Sequence, residues 1–94
     1  MFTHIVFYRV ENPEENLPKM KELLCSLPAK IDVIRSLKFG IDELKTPRSV
    51  DGCLYVEFNS EADYHYYKDH PEHLKVAEFI GKIKKEAYSA DFNE

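Results

Sequence analysis

Three polar side chains of this sequence, His4, Tyr67 and His73, are suited to proton transfer. A histidine titrates near neutral pH, so its ring can accept or release a proton, and a tyrosine hydroxyl can donate a hydrogen bond to an oxygen. Tyr67 and His73 flank Pro71, where a helical pattern is interrupted because proline disfavours a continuous helix. A break there would leave a gap beneath the helix, and a gap with apolar walls and a few polar groups is typical of a small-molecule pocket.

The walls of this predicted pocket come from one strand and from the interrupted helix. His4 lies on the same face of an N-terminal strand as Val6 and Tyr8, because side chains alternate along a strand. Tyr64 shares a helical stripe with Tyr67. The sequence therefore predicts a set of ligand-binding residues around the pocket: His4, Val6, Tyr8, Tyr64 and His70.

Each of these polar residues also has a purely structural interpretation. His4 can be a half-buried strand residue, and Tyr67 can pack on the sheet with its hydroxyl at the edge. His73, in the first turn of a helix, can bind a backbone group, and His70 can shape the break before Pro71. Chemistry and packing are therefore alternatives for the same residues.

A metal site is not predicted. His70 and His73 are three residues apart and His65 is near, whereas the helix of a zinc protease places two histidines four residues apart. The proline between His70 and His73 also prevents them from sharing a regular helical turn. We expect neither a metal nor a cofactor.

The composition describes one small, mildly acidic domain over residues 1–94. The chain has 13 Lys and Arg against 17 Asp and Glu, a net charge of −4, whereas a nucleic-acid-binding face needs an excess of basic residues. Its apolar runs are far shorter than the roughly 20 residues of a membrane span, and no signal peptide is indicated. Two cysteines without a CxxC motif favour a reducing cytoplasm. We expect no nucleic acid and no membrane among its partners.

Hydrophobic periodicity predicts four strands and two helical regions. The segments rich in β-branched and aromatic residues are 2–10, 34–41, 52–58 and 87–92. The order β-α-β-β-α-β predicts an α+β, ferredoxin-like fold, in which the helices cover one face of a four-stranded antiparallel sheet.

The ends of the helices are predicted from their capping residues and prolines. Residues 12–15 (Asn-Pro-Glu-Glu) indicate a turn or a first helical turn. We expect Asn16 to cap the first helix, because Pro18 would then lie in the first turn, where its missing N–H costs nothing. Asn59 or Ser60 is expected to cap the second helical region, which is interrupted at Pro71.

The N-terminal strand is apolar on both faces, with Ile5 and Phe7 opposite the face that carries His4. If the helices cover one face of the sheet, the other face is an exposed apolar patch, and such patches usually mark an interface. A two-fold contact of sheet against sheet is the simplest cover. The sequence therefore predicts a homodimer that forms through the open sheet face.

Four segments occur in a distinctive order along the chain. They are 3–8 (Thr-His-Ile-Val-Phe-Tyr), 34–40 (Ile-Arg-Ser-Leu-Lys-Phe-Gly), 67–73 (Tyr-Lys-Asp-His-Pro-Glu-His) and 90–92 (Ala-Asp-Phe). Together they resemble the His-Ile-Val start, the second-strand signature, the Tyr-x-x-His-Pro-x-His run and the final Asp-aromatic pair of the stress-responsive A/B barrel domain (Dabb) family. The resemblance covers nearly the whole chain.

The resemblance implies a ferredoxin-like protomer and a homodimer whose two sheets form a barrel. In a plant branch that cyclises polyketides, a tyrosine and a histidine at the positions of Tyr67 and His73 act on the substrate, which implies that these two are the catalytic residues. Cyclisation needs a base to remove a proton next to a carbonyl and an acid near the developing oxyanion, and a histidine and a tyrosine suit these roles. That branch has a further histidine about where Gly52 stands here, so this chain departs from its pattern.

Three functions follow as alternatives. The first is a homodimeric barrel protein that binds a small, mostly apolar carbonyl compound, as a cofactor-independent cyclase, lyase or isomerase. The second is a non-enzymatic stress-response or scaffold protein with no chemistry, which the resemblance implies because some stress-induced members of the family have no chemistry assigned. The third is a cofactor-independent monooxygenase for an aromatic substrate, which no residue pattern favours over the other two.

Overall fold

Strands and helices follow one another in the predicted order. In the computed structural model, which describes residues 1–94, the elements are β1 (Phe2–Val10), α1 (Pro13–Cys25), a short 3-10 helix (Leu27–Ala29), β2 (Ile34–Ile41), β3 (Gly52–Phe58), α2 (Glu61–Asp69), α3 (Pro71–Ile83) and β4 (Lys84–Asn93). The strands form one antiparallel sheet in the order β2-β3-β1-β4. This arrangement confirms the α+β, ferredoxin-like fold.

The hydrophobic core lies between the helices and one face of the sheet. Alternate residues of the two central strands point into it, as expected for strands whose side chains alternate between faces. Each large apolar side chain buried there contributes about 1.5–3 kcal/mol relative to an exposed one. The main contributors are Val6, Tyr8 and Val10 of β1, Leu54, Val56 and Phe58 of β3, Leu17, Met20 and Leu24 of α1, and Val76, Ile80 and Ile83 of α3.

The other face of the sheet carries no helix and exposes aromatic side chains. Phe7 of β1 is 41% exposed, and it lies opposite Tyr88 of β4, which is 61% exposed. Phe92, on the same face of β4, is 42% exposed, and none of the ten residues of β4 is buried. This open face is the apolar patch that the sequence predicts.

The first helix begins earlier than predicted. Asn12 precedes it with a left-handed backbone (φ 42°), and its carbonyl accepts hydrogen bonds from the N–H groups of Glu15 (3.0 Å) and Asn16 (2.9 Å). The expectation that Asn16 caps the helix is therefore wrong, and Pro18 lies inside the helix. Pro13 occupies the first turn, where proline fits well, and Pro18 removes only one hydrogen bond from a helix that is held by its buried face.

The second helical region is capped and interrupted as predicted. The Ser60 hydroxyl accepts a hydrogen bond from the backbone N–H of Asp63 at 3.2 Å, and the chain breaks between α2 and α3 at His70 and Pro71. The last strand is longer than predicted, because it starts at Lys84 rather than at residue 87. No helix in the structure has the length and the apolar content that crossing a membrane requires.

Candidate functional site

The break between α2 and α3 brings Tyr67 and His73 together. Tyr67 lies near the end of α2 and His73 in the first turn of α3, and their ring centroids are 4.4 Å apart with planes inclined by 44°. Proline at position 71 has no N–H and fixes the backbone of the preceding residue in an extended conformation, so the chain changes direction between the two rings. The pair that the sequence predicts is therefore in direct contact.

The hydroxyl of Tyr67 is buried and makes no hydrogen bond. The residue is only 1% exposed, and no protein group lies within hydrogen-bonding distance of its Oη atom. Burial, together with the nearby Tyr8 and Tyr64, raises the pKa of Tyr67 above its ordinary value. The hydroxyl therefore stays protonated, as a hydrogen-bond donor without an acceptor, which is uncommon because buried polar groups are nearly always paired.

His73 is held as a neutral ring with one free nitrogen. Its Nδ1 atom lies 2.9 Å from the carbonyl oxygen of Lys68, and since a carbonyl only accepts, Nδ1 carries the proton and donates it. The lone pair is then on Nε2. Burial lowers the pKa of His73 below its ordinary value, partly offset by the bond to Lys68, and the nearby His4 lowers it further. A neutral imidazole with a free Nε2 is suited to act as a base.

His4 is paired with an aspartate that was not predicted as a site residue. Its Nδ1 atom contacts the carboxylate of Asp91, which lies directly opposite it in the pairing of β1 with β4. The ring of His4 also lies 4.9 Å from the ring of Tyr64, and burial together with the Asp91 carboxylate raises the pKa of Tyr64. The signal in the sequence was the final Asp-aromatic pair, but only the strand register shows that Asp91 faces His4.

Three further predicted residues lie on the two elements that carry His4 and Tyr67, namely β1 and α2. Val6 and Tyr8 share the helix-covered face of β1 with His4, and both are buried. Burial raises the pKa of Tyr8 to about 12. Tyr64 is half-buried on α2, with its ring 6.3 Å from that of Tyr67. Tyr8 and Tyr64 are therefore aromatic neighbours of Tyr67.

His70 lies apart from the pair. Its Nδ1 atom accepts a hydrogen bond from the backbone N–H of Glu72 at 3.0 Å, so the side chain caps the start of α3. Its ring lies 5.7 Å from that of Tyr66, in an outer groove of about 460 Å³. His70 thus has a structural role in the break, and it faces that outer groove.

Three pockets of the protein are lined by other residues. Pockets of about 690 Å³ and 590 Å³ lie beside the loop of residues 42–51, and neither these nor the outer groove is lined by Tyr67 or His73. No group of three or more His, Cys, Asp or Glu side chains is placed so that it could hold a metal ion.

The start of β3 has no room for a side chain. A Cβ atom added to Gly52 would lie 2.6 Å from the tip of the Phe39 ring, far inside van der Waals contact. Phe39 is buried on the same covered face, so its ring occupies the space beside Gly52. The buried Phe39 ring therefore favours glycine at position 52, because any larger residue there would have to displace it.

Comparison with known proteins identifies the family. A sequence model of the family described as "Stress responsive A/B Barrel Domain" matches residues 2–94, and no curated protein matches the chain. A dimeric protein of unknown function and ferredoxin-like fold from Bacteroides fragilis is 27% identical, with a TM-score of 0.88 over 99% of this chain and 95% of that one.

Two solved structures with names of enzymes share the fold at lower identity. A hydroxynitrile lyase from Passiflora edulis is 18% identical, with a TM-score of 0.81 over 99% of this chain and 94% of that one. A putative antibiotic biosynthesis monooxygenase from Nitrosomonas europaea is 12% identical, with a TM-score of 0.80 over 100% and 98%. Since the family model spans almost the entire sequence, the chain belongs to the stress-responsive A/B barrel domain (Dabb) family.

Proposed function

We propose that this protein is a homodimeric A/B barrel protein that binds a small, mostly apolar carbonyl compound between the helices and the sheet. It acts on this compound, without a cofactor, as a lyase, cyclase or isomerase. The observation that carries the proposal is the Tyr67 hydroxyl, which is buried without a partner beside the neutral ring of His73. A ligand oxygen would supply the missing acceptor.

The chemistry assigned to the pair is proton transfer. Nε2 of His73 removes a proton from the carbon next to the carbonyl, and the electron pair of that C–H bond shifts to the carbonyl oxygen as an enolate. Tyr67 donates its hydrogen bond to this oxygen, and the bond strengthens as negative charge develops there. The Lys68 carbonyl supports the base, because it holds the Nδ1 proton and keeps the Nε2 lone pair available.

His4 and Asp91 form a second polar pair beside this site. The carboxylate of Asp91 binds Nδ1 of His4 and so fixes the orientation of the ring. Nε2 of His4 is then a further nitrogen that can contact a polar group of the ligand. Asp91 acts through His4 and is proposed as a positioning residue.

The homodimer is proposed from the open face of the sheet. Exposed aromatic side chains on β1 and β4 form a patch whose burial would stabilise a two-fold complex. Three of the solved structures that share the fold are described as dimeric, including the one at 27% identity. Light scattering at micromolar concentration is expected to give twice the mass of the 11.0 kDa chain.

A second candidate function, a protein without chemistry, is favoured by two observations. The pockets beside the loop of residues 42–51 and the outer groove are not lined by Tyr67 or His73. In addition, His73 already binds a backbone carbonyl. In this alternative the two rings pack under the helices, and the protein has a stress-response or scaffold role through its dimer.

A thermal-shift screen distinguishes the two candidates. The probes are an aromatic aldehyde, a β-diketone and a cyanohydrin, tested on the wild type and on the variants Tyr67→Phe and His73→Gln. A ligand at 100 times its Kd stabilises the folded state by about 2.7 kcal/mol, which is easily measured as a shift in Tm. The proposal expects a shift for the wild type that both variants lose.

The same helix offers matched controls. Tyr66 is 53% exposed and the side chain of His65 is 56% exposed, so Tyr66→Phe and His65→Gln remove equivalent groups from the solvent-exposed side of α2 rather than from the Tyr67–His73 pair. Both controls are expected to keep the ligand-induced shift. If no probe shifts the wild type, or if the Tyr67 and His73 variants respond like the controls, the protein without chemistry is the better description.

A further inference from the structure

The loop between β2 and β3, residues 42–51, exposes a large apolar side chain to solvent. Leu44 is 83% exposed, more than any other large hydrophobic residue of the chain. Burying a leucine is favourable by about 1.5–3 kcal/mol, and the isolated protomer gains none of this from Leu44.

The loop is ordered around this leucine by hydrogen bonds of its own. The Asp42 carboxylate accepts from the N–H of Lys45 at 2.7 Å, and the Ser49 hydroxyl accepts from the N–H of Thr46 at 3.0 Å. Asp51 ties the end of the loop to β1, because its carboxylate accepts from the N–H of Val10 at 2.8 Å. A side chain presented on an ordered segment loses little conformational entropy when a partner binds it.

Leu44 also borders a groove that opens onto the open face of the sheet. This groove, of about 590 Å³, is lined by Leu44 and Val50 from the loop and by Phe7 and Tyr88 from the sheet. Phe7 and Tyr88 are opposite one another in the pairing of β1 with β4, and both belong to the exposed aromatic patch. The loop therefore extends the apolar surface of the open face beyond the edge of the strands.

We propose that the loop of residues 42–51 is a dimer clasp, in which Leu44 of each copy packs against the apolar face of a second copy of this chain. The inference rests on the proposed homodimer and assigns a specific segment to its interface. Continuity with the open face identifies a second copy as the occupant, since a partner seated on Phe7 and Tyr88 is already beside the groove. In a two-fold interface each contact occurs twice, so one substitution removes two leucines from the complex.

The test compares Leu44→Ala with Leu74→Ala by sedimentation over a range of protein concentrations. Leu74 is 52% exposed on α3, so its truncation removes an equivalent side chain from the helical side of the protomer. We expect Leu44→Ala to raise the dimer dissociation constant by about 100-fold, and Leu74→Ala to leave it unchanged. Leu44→Asp is expected to give a folded monomer, because the exposed position tolerates a charge in the protomer but the interface does not.

The possible outcomes test the proposed role of the loop separately from the existence of the homodimer. If the wild type is a dimer and Leu44→Ala and Leu44→Asp dissociate no more readily than Leu74→Ala, the clasp is refuted and the homodimer stands. If the wild type sediments as a monomer at a concentration of about 100 micromolar, both the clasp and the homodimer are refuted.

Discussion

Replacing Tyr67 with phenylalanine is expected to stabilise the free protein, although it removes a polar group from the proposed site. Leaving a buried donor without a partner costs about 1–3 kcal/mol, and phenylalanine removes that donor while keeping the ring. The missing oxygen leaves a small void that offsets part of this gain, so the net stabilisation is about 1 kcal/mol. For a domain of this size, that corresponds to an increase in Tm of about 4–8 °C.

The assay is calorimetry of the wild type and of Tyr67→Phe at one fixed protein concentration, because dimerisation makes Tm depend on concentration. The control is Tyr66→Phe, which removes an exposed hydroxyl from the neighbouring position and is expected to change the stability by less than about 0.5 kcal/mol. Both measurements are made at neutral pH, where the raised pKa of Tyr67 keeps its hydroxyl protonated.

A lower Tm for Tyr67→Phe would refute this reasoning. It would mean that the hydroxyl is paired in solution, for instance with a buried water molecule, and that it contributes to stability like any satisfied polar group. The same variant is expected to lose the ligand-induced shift, so a gain in stability together with a loss of binding is the signature of a group kept for the ligand.

Three further predictions concern the residues around the site. Burial lowers the pKa of His73 below its ordinary value of 6.5, so at a pH between the folded-state and unfolded-state pKa the unfolded chain binds more protons, and the free energy of unfolding should fall as the pH drops through this interval. In urea titrations at several pH values, His73→Gln should lose this pH dependence and His65→Gln should keep it. His70→Ala should destabilise the protein by about 1 kcal/mol through loss of the α3 cap, whereas His70→Asn should retain most of the stability in the same urea assay. Gly52→Ala should lower the free energy of unfolding by about 1–3 kcal/mol, because the added methyl group overpacks against Phe39. The double variant with Phe39→Leu should recover part of this stability. Equal stability of Gly52→Ala and the wild type would contradict the clash.

Three of the four strands were predictable in full from their β-branched and aromatic residues. The sequence predicts β1, β2 and β3 with the bounds that the structure shows. The start of α1 was missed because Pro18 suggested that the helix begins just before it, whereas the buried face of α1 maintains the helix across Pro18. The start of β4 was missed because its first three residues, 84–86 (Lys-Lys-Glu), are all charged, and the apolar alternation that identifies the strand begins only after them.

The sequence predicts those contacts of the candidate site that depend on a single strand or on one helical region. Strand alternation places His4 with Val6 and Tyr8, and the proline break places Tyr67 near His73. Asp91 could not be placed from its own strand, because its contact with His4 depends on the register between the first and last strands. The sequence predicts that His73 can bind a backbone group, but only the turn of the chain at the break identifies the Lys68 carbonyl as its partner.

One strand, β4, connects the proposed ligand site with the proposed dimer. On the open face it carries Tyr88 and Phe92, and on the other face Asp91 orients His4. Since none of its residues is buried in the protomer, β4 is expected to open more readily than the strands of the core. A second copy that covers the strand would hold Asp91 in place, so ligand affinity should increase with protein concentration and the ligand should in turn favour the dimer.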